Sequence, residues 1–261
     1  MKNFRKYGDP PFNVAVLHGG PGAPGQMAPV ARELSSKRGV LEPLQTKYTL
    51  EGQVRELHSI LDENRVFPVT LVGSSWGAML GFIFSAYHPK YVKKLIMIGS
   101  GVFDRKYVEK IQENRLMCLS LQERVEAQKL MEAFSFPTET NKNRIFTRLG
   151  ELLTKADAYN PLTLETEVIE TQYDVFQSVW SDVEKLRNSS KLLKLGKKIE
   201  CPVVAIHGDY DPHPAEGIKK PLSTVLRDFE FVLLKNCGHL PWIEKEAMTE
   251  FYKILKKELP E

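Results

Sequence analysis

Cysteine is scarce in this chain: three of 261 residues, Cys118, Cys201 and Cys237, with no Cys-x-x-Cys pair. An odd, scattered count speaks against a disulfide framework and offers no zinc-finger spacing, so a reduced, intracellular protein is expected. Long apolar runs are missing as well; none approaches the roughly 20 residues that a membrane-spanning helix needs. Residues 1–11 are charged and contain proline but no apolar stretch, so no secretory signal is expected. Neither charge sign dominates. Thirty-six Lys and Arg against 33 Asp and Glu leave +3, and pairs such as Lys93-Lys94 and Lys256-Lys257 read as solvated faces rather than a track for nucleic acid. Internal repeats and low-complexity tracts are absent. What remains is a composition ordinary for a soluble globular protein, 42% hydrophobic and 26% charged, with enough chain for one large α/β domain or two small ones. A cytoplasmic location follows as the expectation.

Short apolar strands alternate with amphipathic helical stretches in two blocks. Strands are expected at residues 13–17, 39–44, 69–73 and 94–99, with helices over 24–37, 49–64 and 78–87 between them. Pro43 removes a ladder donor, which predicts an edge position for the second of these strands. Thr49 opens its helix as a capping candidate, and Val54, Leu57, Ile60 and Leu61 follow at helical spacing. Strand signals vanish between residues 103 and 198, where helical periods are separated by Ser135-Phe136-Pro137-Thr138 and Tyr159-Asn160-Pro161. They resume at 203–206 and 229–234, with helices near 214–225 and 244–257. This order predicts a parallel sheet with helices on both faces, formed by residues 1–102 and 199–261, with 103–198 as a helical insertion rather than an independent domain.

The run Leu71-Val72-Gly73-Ser74-Ser75-Trp76-Gly77 joins an apolar strand to a helix. Gly-x-Ser-x-Gly in that context is a nucleophile elbow: a sharp turn holds Ser75 exposed, and the glycines let neighbouring chain pass close by. The amide of Trp76 then stands at a helix N-terminus, where it can stabilise negative charge. Acyl transfer by serine also needs a base, a group that orients the base, and a second oxyanion donor. Each has a candidate on a loop that follows a strand, and in an open α/β sheet those loops share one edge. Asn236-Cys237-Gly238-His239 supplies His239 as the base, with an ordinary pKa near neutrality. His207-Gly208-Asp209-Tyr210-Asp211 supplies Asp211 as the orienting acid, with Asp209 as its competitor. His18-Gly19-Gly20-Pro21-Gly22 supplies the Gly20 amide as the second donor, because Pro21 has no N–H to offer.

With these motifs in hand, the chain resembles the α/β-hydrolase superfamily over nearly its whole length. HGGPG and GSSWG together are most similar to the branch containing proline iminopeptidases and related esterases and amidases. The resemblance implies Ser75 as nucleophile, His239 as base, Asp211 as acid, Gly20 and Trp76 as oxyanion hole, and residues 103–198 as a lid or cap. Such families begin with a β-hairpin before the HGG strand, yet only about twelve residues precede it here, so a reduced sheet of about six strands is expected. The Asp-x-Arg-Gly-x-Gly-x-Ser run of relatives is replaced by Val40-Leu41-Glu42-Pro43-Leu44-Gln45-Thr46. The wall it shapes, and with it the substrate, cannot be transferred.

The expected reaction is hydrolysis of a small carboxylic ester or amide through an acyl-enzyme, without cofactor or metal. An aminopeptidase like the proline iminopeptidases, an acyltransferase or a carbon–carbon hydrolase would use the same triad. A non-catalytic ligand-binding protein is the reading from outside enzymology. The partner expected is a small-molecule substrate, with neither nucleic acid nor membrane involved. His18, Met27, Trp180 and Trp242 are candidates for the pocket wall. Glu165, Glu167 and Glu170 are available to hold a substrate amino group or simply form a polar helix face. His207, Asp209, Asp211 and His213 alternate as metal ligands sometimes do, but alternation on a loop guarantees no shared face. Cys237 reads as a packed core thiol, and His58 and His88 as helix-surface residues.

Overall fold

Alternation of period two builds the centre of this molecule. A computed structural model describes residues 3–134, 141–162, 168–169 and 171–259. In chain order its elements are β1 (Phe4–Tyr7), β2 (Phe12–Leu17), α1 (Ala28–Ser35), β3 (Gly39–Pro43), α2 (Leu50–Glu63), β4 (Val69–Ser74), α3 (Trp76–Tyr87) and β5 (Val92–Ile98). Helices α4 (Val108–Cys118), α5 (Leu121–Ala133), α6 (Lys142–Ala156), α7 (Tyr173–Asn188) and α8 (Lys191–Lys194) follow. The chain closes with β6 (Val203–Gly208), α9 (Glu216–Ser223), β7 (Phe229–Leu234) and α10 (Met248–Glu258).

The strands form one sheet in the order β1-β3-β2-β4-β5-β6-β7, parallel throughout except for β1 against β3. Successive side chains of a strand leave by opposite faces. Ala15, Leu17, Leu71, Leu95, Met97, Val203 and Ala205 accordingly pack on one face against α2, α3, α7 and α9. Val14, Val16, Val72, Ile96, Ile98, Val204 and Ile206 pack on the other against α1 and α10. Both faces are covered, which is why these strands read as continuous apolar runs. Each large aliphatic side chain so buried contributes about 1.5–3 kcal/mol. The Thr49 hydroxyl does cap α2, accepting from Gly52 N–H at 3.0 Å.

Two expectations are corrected at the sheet margin. The sheet has seven strands rather than about six, and β3 is not its edge. The extra strand, β1, is the short sequence Phe-Arg-Lys-Tyr, too charged to show an apolar period. Its antiparallel ladder pairs Phe4 with Pro43 and Tyr7 with Val40, and the Tyr7 hydroxyl donates to Glu42 at 2.7 Å. Pro43 is tolerated inside because the β2 ladder ends two residues earlier, at the Ala15–Leu41 pair. It breaks no central rung.

Helices α4 to α8 lie between β5 and β6 in the chain. A small core of their own (Leu119, Ala127, Leu149, Leu152 and Ala156) holds α4, α5 and α6 together. Backbone bonds join this region to the loops at the C-terminal edge of the sheet, among them His239 N–H to the Asp157 carbonyl, Gln172 N–H to Gly22 and Ile169 N–H to Pro24, at 2.8, 2.8 and 2.9 Å.

Candidate active site

Ser75 lies between β4 and α3 with φ +50° and ψ −110°, a left-handed conformation that L-residues adopt at a cost. Close packing enforces it. A Cβ at Gly77 would run into the carbonyl of Leu17, and one at Gly73 into the backbone of Gly77. The Ser75 N–H donates to the Ile98 carbonyl at 2.8 Å, which ties the turn to the end of β5. Directly behind it, the indole N–H of Trp76 donates to Gln53 Oε1 at 2.9 Å, so α2 fixes the first residue of α3.

Asp211 and His239 meet above β6 and β7. Asp211 Oδ2 accepts from His239 Nδ1 at 2.7 Å, while Asp211 Oδ1 accepts both the backbone N–H of His213 (2.9 Å) and its Nδ1 (2.8 Å). The rings of His213 and His239 stack with centroids 4.6 Å apart and planes 23° apart. Asp209, the competing acid, turns away: its Oδ1 accepts from Cys237 N–H at 3.3 Å and its Oδ2 faces Lys235 at 3.6 Å. Gly99, the residue after β5, is the spacer between serine turn and imidazole. A Cβ there would stand 3.1 Å from His239 Nδ1 and 3.3 Å from Asp211 Oδ2. Among the described residues no hydrogen bond closes the gap from Ser75 Oγ to His239.

Electrostatics set the protonation states. Burial alone would push the Asp211 carboxyl upward, but the imidazoles of His239, His207 and His213 outweigh it and hold the group well below the usual carboxylate range. Burial would lower His239, yet the charge and hydrogen bond of Asp211 win and raise its pKa. For His213 burial prevails and lowers it to about 4. A carboxylate accepts only, so both imidazoles that face it carry their proton on Nδ1. His207 is buried beneath and bonds the His213 carbonyl through Nε2 at 2.8 Å.

The glycine loop reaches Ser75 from the other side, where a Cβ at Gly19 would lie 3.3 Å from Ser75 Cβ. The Gly19 N–H is committed to Gln26 Oε1 at 2.8 Å, whereas Gly20, at φ +50°, donates its N–H to no partner among the described residues. His18 is wholly buried, bonds the Gly19 carbonyl through Nδ1 at 2.8 Å, and is lowered in pKa by that burial.

The other candidates separate. Half-buried Trp180 on α7 packs edge-on against Trp76 with centroids 6.4 Å apart, and Phe176 stacks upon it. Met27 and Trp242 lie instead in the apolar layer beneath the sheet with α1 and α10, and core packing explains them. Glu165, Glu167 and Glu170 lie outside the described residues. Cys237 is buried and desolvation pushes its thiol up, as for an inert core residue. His58 and His88 pack with Phe84 and Tyr91 around the C-terminal end of α3. Ligand atoms of Asp211, His213 and His239 all fall within 4.8 Å of one another, but the hydrogen bonds among them account for that proximity.

Sequence reasoning weighed His213 only as a metal ligand and gave no role to Arg115 or Asp157. Arg115 on α4 forms a two-pronged ion pair with Asp157 at 2.7 and 2.6 Å, and the Asp157 carbonyl accepts the His239 N–H at 2.8 Å. An Asp-x-His spacing after β6 was the available signal for His213. The Arg115–Asp157 pair spans 42 residues and left none.

Residues 27–246 match the family model described as alpha/beta hydrolase fold. The proline iminopeptidase of Lactobacillus crispatus is 24% identical over 268 residues, covering 94% of this chain and 88% of that protein. Among solved structures, the proline iminopeptidase of Mycobacterium smegmatis superposes with a TM-score of 0.63 at 18% identity, covering 97% of this chain and 92% of that one. The 2-hydroxy-6-oxo-6-phenylhexa-2,4-dienoate hydrolase of Rhodococcus sp. strain RHA1 gives 0.63 at 18%, covering 96% and 91%.

Proposed function

Because the chain belongs to the α/β-hydrolase fold family, we propose that it is a serine hydrolase of small carboxylic esters, with Ser75 as nucleophile, His239 as base and Asp211 as orienting acid. The observation that carries this reading is the 2.7 Å bond between Asp211 and His239 on two loops at the strand edge where Ser75 is held in its turn.

His239 Nε2 takes the Ser75 hydroxyl proton as Oγ attacks the ester carbonyl, and Asp211 stabilises the imidazolium through Nδ1–H. The serine–imidazole bond forms as substrate is bound. Negative charge on the carbonyl oxygen is met by the N–H groups of Gly20 and Trp76. The imidazolium then protonates the departing alkoxide, leaving Ser75 acylated. Water, deprotonated by His239, releases the acid and restores the serine. Helices α4 to α8 act as the cap over this site.

The test is Ser75→Ala. It should abolish turnover of short p-nitrophenyl esters and labelling by a fluorophosphonate, and labelling that persists at another residue would overturn the assignment. A second reading, cleavage of N-terminal residues from small peptides, is favoured by the proline iminopeptidase relatives. Turnover of aminoacyl amides in preference to the esters would select it.

A further inference from the structure

His213 is a buried, titratable group to which the proposed reaction assigns no step. Its backbone N–H alone would close the turn after Asp211, and any residue but proline could supply that bond. Its ring does more. Nδ1 delivers a second donor to the same oxygen, Oδ1, at 2.8 Å, and the ring lies against the face of His239. Asp211 therefore carries an imidazole on each oxygen, at 2.8 and 2.7 Å.

We infer that His213 is a positioning residue: by occupying Oδ1 it leaves only Oδ2 to His239, and by sharing the carboxylate it limits how tightly that carboxylate holds a proton on His239. The inference rests on the serine-hydrolase reading for its kinetic consequence, but not for its structural one. Without the ring, Oδ1 keeps only the His213 backbone N–H, and more of the carboxylate's charge falls on His239. The groups facing the pair from neighbouring elements are His207 beneath the loop and the Arg115–Asp157 ion pair of α4 and the chain after α6. None of these donates to Oδ1.

The experiment compares the wild type, His213→Ala and His213→Asn by the rate of fluorophosphonate labelling between pH 5 and 9. Asparagine places an amide N–H where the imidazole Nδ1–H stands, without the ring. His213→Ala should move the midpoint of the acid limb upward by about one pH unit, the loss expected for one hydrogen bond to a charged group, and lower the plateau rate. His213→Asn should restore the wild-type midpoint. Coincident midpoints in all three proteins, or equal shifts in both variants, would overturn the inference. Nitrogen-15 NMR of the histidines in the unmutated protein covers the case of misfolded variants. His213 should be neutral and protonated on Nδ1 from pH 8 to 5.5 while His239 titrates. An Nε2–H tautomer, or protonation in step with His239, would refute it. Labelling that survives Ser75→Ala would instead sink the hydrolase reading, with the NMR result standing on its own.

Discussion

His239 donates its backbone N–H to the carbonyl of Asp157, 2.8 Å away, and Asp157 in turn holds Arg115 through both carboxylate oxygens. The loop that carries the proposed base is thus fastened to the helical segment through a salt bridge whose carboxylate is only 7% exposed. Breaking a buried pair leaves a charge without compensation and costs about 3–5 kcal/mol. Arg115→Met should lower the unfolding free energy by about 3 kcal/mol in urea titrations, and reduce kcat more than it raises KM.

In the proposed mechanism, proton uptake by His239 sets the acid limb of activity. Its pKa lies above the ordinary 6.5, chiefly because Asp211 outweighs burial. Only the neutral imidazole can accept the serine proton. Ester hydrolysis should therefore fall as pH drops, with a midpoint above 6.5 in kcat/KM. The sign for stability is opposite: a histidine raised in the fold stabilises fully below 6.5, and that contribution disappears as pH rises through its folded value.

His213 and Asp211 act on stability in the acid range. His213 is lowered to about 4, so its contribution is present above 6.5 and is lost as pH falls from 6.5 towards 4. Asp211, lowered as well, begins to lose its contribution only below the usual carboxylate range. Chemical denaturation at pH 7, 5.5 and 4.5 should show the stability of the wild type falling relative to that of His213→Asn as the pH is lowered.

The conformation of Ser75 predicts a difference in stability between two variants at that position. Glycine adopts φ +50° without the penalty an L-side chain incurs there, about 1–2 kcal/mol. Ser75→Gly should unfold at higher denaturant concentration than Ser75→Ala, by about 1 kcal/mol net of glycine's greater chain entropy. Equal stabilities would show that the turn is unstrained.

Gln53 holds Trp76, whose amide is the proposed oxyanion donor, from a distance. Replacing it with alanine leaves the buried indole N–H of Trp76 without its acceptor, a loss of about 1–3 kcal/mol. Gln53→Ala should lower the thermal midpoint and slow fluorophosphonate labelling, both read on the same preparation.

Much of this was legible along the chain, for local reasons. The strands of the sheet centre are buried on both faces, so their apolar runs stand out, and loops that follow them in a parallel sheet must share an edge. That logic brought Asp211 and His239 to one place. It failed for β1, whose charged tetrapeptide shows no apolar period, and hence for the position of β3. The sequence favours Asp211 over Asp209 because Asp209 sits almost on the strand end, and the Asp209 side chain does turn back to Cys237 N–H and Lys235. Met27 and Trp242 illustrate a different limit, because apolar size says nothing about which face of the sheet a residue covers.

Glu244 gives the helical segment a consequence for protein engineering. It lies in the chain after β7, yet its two carboxylate oxygens accept the N–H groups of Tyr159 and Asn160, both at 2.8 Å, and of Gly238 at 3.0 Å. One side chain is therefore a rivet through three strips of sequence that a gene-shuffling scheme would treat as separate cassettes. A chimaera that exchanges residues 103–198 for the equivalent of another hydrolase would leave this buried carboxylate facing foreign backbone. Recombinants that retain 157–160 together with 238–244 keep the rivet seated, and those residues mark where crossovers belong.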